Sequence, residues 1–438
     1  WLGDVPEHWN VRRGKWLFRS KKEINTDRRY DNILSLTLRG VVNNDPDDPE
    51  GLVPTDYSTY QFFAKGDLVF KLIDLENLRT SRVGHVHEDG IMSPAYIRLT
   101  ATHHGNQHFF YLQYLDLYQR FVFNQLGAGV RATLGAKDLL ELSVLVPSGV
   151  EQESIVRFLD HMDRRIRHYI RAKQKLIKLL EEQKQAIIHR AVTHGLDPNV
   201  RLKPSGVEWL GVVPEHWKVL RLKFVAAKIV DCLHATPKYD EKGGFPAIRT
   251  ADISPGKVHL SSARHVGSDE YNRWVERLEP KPGDILYSRE GERFGIAACV
   301  PEGARLCISQ RMMVFRVRLE YNPVYVMWLL NSNQVYAQAC QDVMGATAPH
   351  VNVSTIRNYF LAIPSRAEQD SLVAEIEDST SGFTNVIAKE ESEISLLREY
   401  RTRLIADVVT GKLDVREAAA HLPDEINEPE PFEDGNAI

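Results

Sequence analysis

Two stretches decide how this chain is built: WLGDVPEHWNVRRGK at residues 1–15 and WLGVVPEHWKVLRLK at residues 209–223, identical at eleven of fifteen positions and offset by 208. A duplication has to be recognised before any local pattern, because it sets the domain count. It extends along the chain. GDLVF at 66–70 matches GDILY at 283–287, VPSGVEQESIV from Val146 matches IPSRAEQDSLV from Ile363, and AVTHGLD at 191–197 matches VVTGKLD at 408–414, all with offset 217. The second copy therefore carries a nine-residue insertion before its Gly-Asp. LKPSGVE leads into Trp209 but nothing corresponds to it before Trp1, so native residues are expected to precede Trp1.

Each copy has two textures. The first mixes short β-rich runs (68–72 and 91–99; 284–288 and 311–317) with Gly, Pro and Asp turns and one helical stretch (109–123; 324–340), which reads as α+β. The second is a Pro-free helix over 151–192 and again over 368–409, forty-two residues each and about 63 Å long. The expected boundaries are 1–147 and 209–364 for the α+β domains, 148–195 and 365–412 for the helical spacers, 196–208 for a linker, and 413–438 for an acidic tail. At 438 residues, about three folding units are expected.

Apolar residues follow a heptad along the first helix, at Ile155, Leu159, Met162, Ile166, Tyr169, Leu176, Leu180 and Ile187. Their counterparts are Leu372, Ile376, Ser379, Phe383, Val386, Glu393, Leu397 and Leu404. The pattern is a coiled coil interrupted near Lys173 and Glu390. Charge selects the partner: residues 151–193 carry +4 and residues 368–410 carry −6, so like helices repel and unlike ones attract. An antiparallel pair within one chain is expected, with Lys173 facing Glu390, rather than a homodimer.

The net charge of −4 argues against nucleic acid only as an average. The tail at 423–438 holds six acids and no base, and once tail and helices are set aside the remainder carries +4. No apolar run approaches a membrane span and no signal peptide opens the chain, which points to the cytoplasm. Cys232, Cys299, Cys307 and Cys340 fit neither a disulfide framework nor a zinc site and read as buried thiols.

Catalytic patterns are absent. There is no phosphate-binding GxxxxGK[ST] loop. Asn322-Pro323-Val324-Tyr325 lacks the second Pro of the amino-methyltransferase loop and reads as a helix start. Glu182-Gln183-Lys184 with Asp163 would have to share a metal across about 28 Å of straight helix. His85, His87, His103, His104 and His108 have no completing carboxylate or Cys, so no metal site is expected. What remains is basic and polar chemistry on turns: Arg39, Lys71, Arg79, Arg82, Arg131 and Thr133 in the first copy, and Arg249, Arg289, Arg293, Gln310, Arg311, His350 and Asn352 in the second. Arg reads guanine edges through two parallel bonds, and Lys or Arg clamps phosphates, so these are the candidate DNA-binding residues.

The tandem WLG-x-VPEHW stretches, the Gly-Asp strands, FPAIRTADI at 245–253, CISQRM at 307–312 and the paired P-S-x-x-EQ helix starts resemble the specificity subunit of Type I restriction-modification systems. The resemblance covers almost the whole chain except the acidic tail. It implies two target-recognition domains and an antiparallel intramolecular coiled coil, a bipartite asymmetric double-stranded DNA site, and docking of two methyltransferase subunits and of restriction/motor subunits. S-adenosylmethionine would belong to the methyltransferase, which methylates adenine, leaving this chain without cofactor or catalysis. Other readings are a methyltransferase-only or fused restriction system, separable by neighbouring genes, and a structural coiled-coil adaptor, which would show no sequence-selective DNA binding.

Overall fold

The computed structural model describes residues 2–45, 56–73, 75, 82–102, 105–126, 133–343 and 349–423. They form two compact units, one of residues 1–174 with 391–438 and the other of residues 175–390. Both mix α and β structure, and each contains parts of the two long helices Gly149–His194 and Arg366–Val409.

In the first unit an antiparallel sheet runs in the order Phe18–Arg19, Ile97–Ala101, Leu68–Lys71, Arg82–His85. The helix Gln107–Gln119 contributes Phe109, Phe110 and Tyr114 to the core that buries Phe18 and Phe70, with ring edges meeting ring faces. Asn106 starts this helix by accepting from the His108 and Phe109 amides. The second unit repeats the plan with Ala226–Asp231, Met312–Val317, Ile285–Ser288 and Ala297–Cys299. It adds a smaller sheet, Arg264–Val266, Phe245–Ile248 and Cys307–Ile308, whose last pair is parallel. Both expected helical stretches are broken: the first ends at Gln119 and resumes at Val122–Leu126 across Phe121 with φ 59°, and the second divides into Pro323–Leu330 and Asn333–Val343. A left-handed residue or a non-helical Ser332 stops the ladder, which hydrophobic composition alone does not signal.

The repeated motifs turn out to be joinery. In Gly66-Asp67 and Gly283-Asp284 the glycines adopt φ 91° and 83°, and the carboxylates accept from the Ala64 and Lys281 amides, both at 2.8 Å. The same carboxylates hold Arg98 at 2.5 Å and Arg316 at 2.6 Å from the adjoining strand. Glu151, on the first turn of its helix, accepts the Trp9 indole N–H at 3.0 Å and lies 3.2 Å from His8 Nε2. Glu368 repeats this with Trp217 at 2.9 Å and His216 at 3.0 Å. Gln152 donates to the Pro147 carbonyl and accepts from Asn106 N, and Gln369 does the same with Pro364 and Asn322. The VPEHW and P-S-x-x-EQ motifs thus lock each long helix onto its own unit.

Within the first unit, the helix pair is pinned by Asp163 with Arg401 and by Lys173 with Glu393 at 2.5 Å. Numbers rise along one helix as they fall along the other, an antiparallel arrangement. Lys173 donates to Glu393, which lies about one helical turn from Glu390 on its helix. The strict heptad also slips: Ile155, Leu159 and Ile166 are buried, but farther on it is Ile188 rather than Ile187, and Ile394 rather than Glu393 or Leu397. An α-helix drifts about 20° per heptad, so over 155–187 the buried stripe moves by almost one residue. Tyr169, Leu176 and Val386 are exposed.

Candidate nucleic-acid interface

In the second unit five strands deliver their ends to one rim. Ala226–Asp231 and Ile285–Ser288 finish there, Met312–Val317 begins there, and the parallel pair Phe245–Ile248 and Cys307–Ile308 finishes beside them. The loops that leave these ends carry Arg249, Arg289, Arg293, Gln310 and Arg311. Backbone bonds stitch the loops together: Arg289 N donates to Arg311 O at 3.1 Å, Ser309 N to Ile248 O at 2.8 Å, Gly291 N to Pro349 O at 2.9 Å, and Val351 N to Arg289 O at 3.1 Å. The last two bonds bring His350 and Asn352 to the same rim. Seven residues chosen from sequence alone therefore converge.

Their roles within the rim differ. Arg249 forks onto Asp252, with Nε and Nη2 each 2.8 Å from a carboxylate oxygen, and this bonding raises its pKa. Arg293 donates to the Thr250 carbonyl at 3.2 Å and the Ile253 carbonyl at 2.7 Å. Arg289 is 3% exposed, with Nη2 2.8 Å from Glu290 and Nε 3.3 Å from Asp231. Its Nε–H is not aligned for a hydrogen bond, so the Asp231 contact is an ion pair only. Glu290 also lies 3.1 Å from His350 Nδ1, which ties that exposed imidazole to the rim. Gln310 accepts from the Thr236 hydroxyl at 3.1 Å, and Asn352 begins the short helix Val353–Arg357. Arg311 is exposed and sits at φ 72°.

The first unit gathers fewer candidates. Lys71, the last residue of Leu68–Lys71, is paired across the sheet with Arg82, the first of Arg82–His85. Partial burial and the Arg82 charge lower the Lys71 pKa. Leu134 N donates to Leu72 O at 3.1 Å, which brings the exposed Thr133 to the same strand end. Arg39 stands on the turn between Leu34–Thr37 and Gly40–Asn43, a hairpin that packs against Arg82–His85. Arg79 and Arg131 lie outside the described residues.

Other candidates resolve as structure. Asn322 caps the helix Pro323–Leu330 through the Val324 and Tyr325 amides, and Tyr325 is buried. His85 stacks on His108 at 5.2 Å, and His108 faces Asp160 at 3.6 Å. Burial, then the neighbouring His108 and His87, pushes the His85 pKa down to about 4. Among the described residues no three His, Cys, Asp or Glu side chains group to hold a metal ion, and no helix is long and apolar enough to cross a membrane. The four cysteines are free, and burial raises Cys299 and Cys307 to about 12. Sequence reasoning missed Asp231, Glu290 and Thr236, which hold the rim cations and amide in place. Asp252 was missed as well, although its three-residue spacing from Arg249 is a signal that could have found it.

Comparison with known proteins supplies context for these rims. Residues 2–179 match the model of the Type I restriction modification DNA specificity domain. The chain is 22% identical over 289 residues to the Type I restriction enzyme EcoBI specificity subunit of Escherichia coli, a match covering 64% of this chain and 60% of that relative. Among solved structures, a chain from work on complex assembly and conformational transition of the type I R-M system superposes with TM-score 0.61 at 15% identity, covering 94% of this chain and 100% of that one. The HsdS subunit of Thermoanaerobacter tengcongensis gives a TM-score of 0.41 at 15% identity, covering 94% and 98%.

Proposed function

We propose that this chain, whose residues 2–179 match the Type I restriction modification DNA specificity domain, is the non-catalytic DNA-reading subunit of a Type I restriction-modification complex. The observation that carries the proposal is the second-unit rim, where seven polar or cationic side chains chosen from sequence meet at strand ends while the duplicated motifs are used up in holding the fold. Each unit reads one half of a bipartite double-stranded site through groove contacts, and neighbouring cations hold phosphates. The half-sites differ, because SREGERFG at 288–295 has no likeness to its aligned partner in the first copy.

The two long helices pair antiparallel within the chain as a coiled coil and set the unread gap. They and the units dock two methyltransferase subunits, which hold S-adenosylmethionine and methylate adenine, and restriction/motor subunits join this assembly. The site for that cofactor lies on the partner, and this chain's part is to choose the sequence. Such a complex works in the cytoplasm.

The test is methylation mapping of DNA from cells carrying the complete system. A bipartite motif with modified adenines is expected. Deleting seven residues from each long helix shortens each by about 10 Å, close to three base pairs, so the gap should contract by about that number while both half-sites persist. An unchanged gap would overturn the spacer role. Exchanging residues 10–145 for those of another member should replace one half-site; if both half-sites survive the exchange, the reading role fails.

A further inference from the structure

The geometry points to Arg311 as the residue of the second unit that reads a guanine, through O6 and N7 in the major groove. This rests on the DNA-reading role proposed above and goes beyond it by separating one arginine from its neighbours on the rim.

The rim holds four arginines, and three are committed within the protein. Arg249 is forked onto Asp252, Arg293 is spent on two backbone carbonyls, and Arg289 is buried between Asp231 and Glu290. Rotating any of them toward DNA would strand a buried carboxylate or carbonyl. Arg311 differs in each respect. Its side chain is exposed, and among the described residues its guanidinium has no ion-pair or hydrogen-bond partner. Its backbone is held instead: at φ 72° it occupies the left-handed region that favours glycine, and its carbonyl accepts from Arg289 N. Ser309 N on Ile248 O fixes the turn from the other side. Across the gap stands Gly291, whose missing Cβ would lie 3.7 Å from Arg311 Nη1, so the facing loop leaves the fork room.

A phosphate is satisfied by a charge on a flexible stem, whereas base reading needs a planar fork presented from a fixed base. A tethered backbone carrying an uncommitted guanidinium suits the second task. The fork carries only donors, and guanine is the base that shows two acceptors side by side on its major-groove edge. Gln310, one residue earlier and steadied by Thr236, stands beside it as a second groove-facing polar group.

The test uses the full chain with the methyltransferase subunits of its own system and a library of randomised DNA duplexes. Arg311→Gly removes the fork while keeping, and easing, the left-handed turn; Arg311→Lys keeps the charge without the fork. Thermal midpoints no lower than that of the wild type serve as the folding check. The wild type should select a bipartite motif. Arg311→Gly should keep one half-site and the gap, lose preference at a single guanine of the other half-site, and bind the wild-type site roughly 10- to 100-fold more weakly. Arg311→Lys, whose ammonium can still donate to O6 or N7, should weaken the same preference and lose less affinity. Replacing that guanine by 7-deazaguanine should weaken wild-type binding and leave Arg311→Gly unaffected. The inference is overturned if the guanine preference survives in Arg311→Gly, or if the loss is equal on all sequences, which marks a phosphate contact. If the wild type selects no motif, the reading role itself has failed, a different outcome from either.

Discussion

Removing one carboxylate, in Glu151→Ala, should loosen the first unit and leave the second untouched. Glu151 accepts the Trp9 indole N–H at 3.0 Å and sits 3.2 Å from His8, with its side chain only 8% exposed. Trp9 is itself buried, so the variant leaves its N–H without an acceptor and without water. A hydrogen bond to a charged group contributes about 1.5–3 kcal/mol, and an orphaned buried donor costs about 1–3 kcal/mol, two views of much the same loss. Adding the favourable placement of an anion on the first helical turn brings the expected cost to about 3 kcal/mol. Glu151→Gln keeps an acceptor for the indole and gives up only the charge, so it should cost about 1 kcal/mol. Hydrogen exchange resolved by peptide is the assay, because two units need not unfold together. Amides of Gln107–Gln119 should exchange roughly 100-fold faster in the Ala variant and about fivefold faster in the Gln variant, with Pro323–Leu330 unchanged. Glu368→Ala should reverse the pattern. Equal effects of Ala and Gln would refute the orphaned-indole reasoning, and equal loosening of both units would refute the assignment of each latch to its own unit.

Asp67→Ala takes from the buried Arg98 its 2.5 Å ion-pair partner and leaves it Glu23 at 3.3 Å, and should destabilise the first unit by about 3 kcal/mol in urea unfolding. Asp284→Ala should cost less, since Arg316 is more exposed than Arg98 and keeps the Glu279 carbonyl. His85 has a folded pKa near 4, below its ordinary value, so the unfolded chain takes up the proton first and stability falls as pH drops from about 6.5 to 4. The full loss is about 3 kcal/mol, and His85→Gln should flatten the pH dependence of the first unit's exchange over that window. Gly411→Ala should destabilise by about 2–3 kcal/mol, because φ is 77° and the new methyl would lie 2.5 Å from Pro6 Cγ; Gly195→Ala, at φ 78° with its nearest contact at 3.5 Å, should cost only about 1 kcal/mol. Scanning calorimetry of the two alanine variants tests that difference.

The long helices were legible because periodicity and the absence of Pro are properties of consecutive residues: 151–192 was expected and Gly149–His194 is observed, and 368–409 lies within Arg366–Val409. The seam was less so. A strict heptad assigns Ile187, but a helix turning every 3.6 residues buries Ile188 instead, and no local pattern reveals how far the drift has gone. The mixed sheets were visible only as β-rich runs; the order of strands depends on pairings between residues far apart, such as Ile285 with Phe315. At the rim, sequence named the arginines but could not rank them. Arg249, Arg289 and Arg311 look alike in a string of letters, and only the positions of Asp252, Asp231 and Glu290 distinguish a structural guanidinium from an available one.

That distinction bears on how such a protein can change what it reads. Residues shared by the copies, such as Trp9 and Trp217 or Asp67 and Asp284, sit in latches whose loss costs several kcal/mol, and none of them reaches the second-unit rim. Rim residues of the Arg311 kind have few bonds within the protein, so under the proposed reading role their replacement would alter contacts with DNA at little expense to folding. Arg289 belongs to neither class. It stands on the rim yet is buried with two carboxylates, so replacing it alone would take away the guanidinium that Asp231 and Glu290 share and leave them only His234 and His350 beside them. Substitution at Arg311 is therefore open to single steps, whereas change at Arg289 requires Asp231 and Glu290 to change with it.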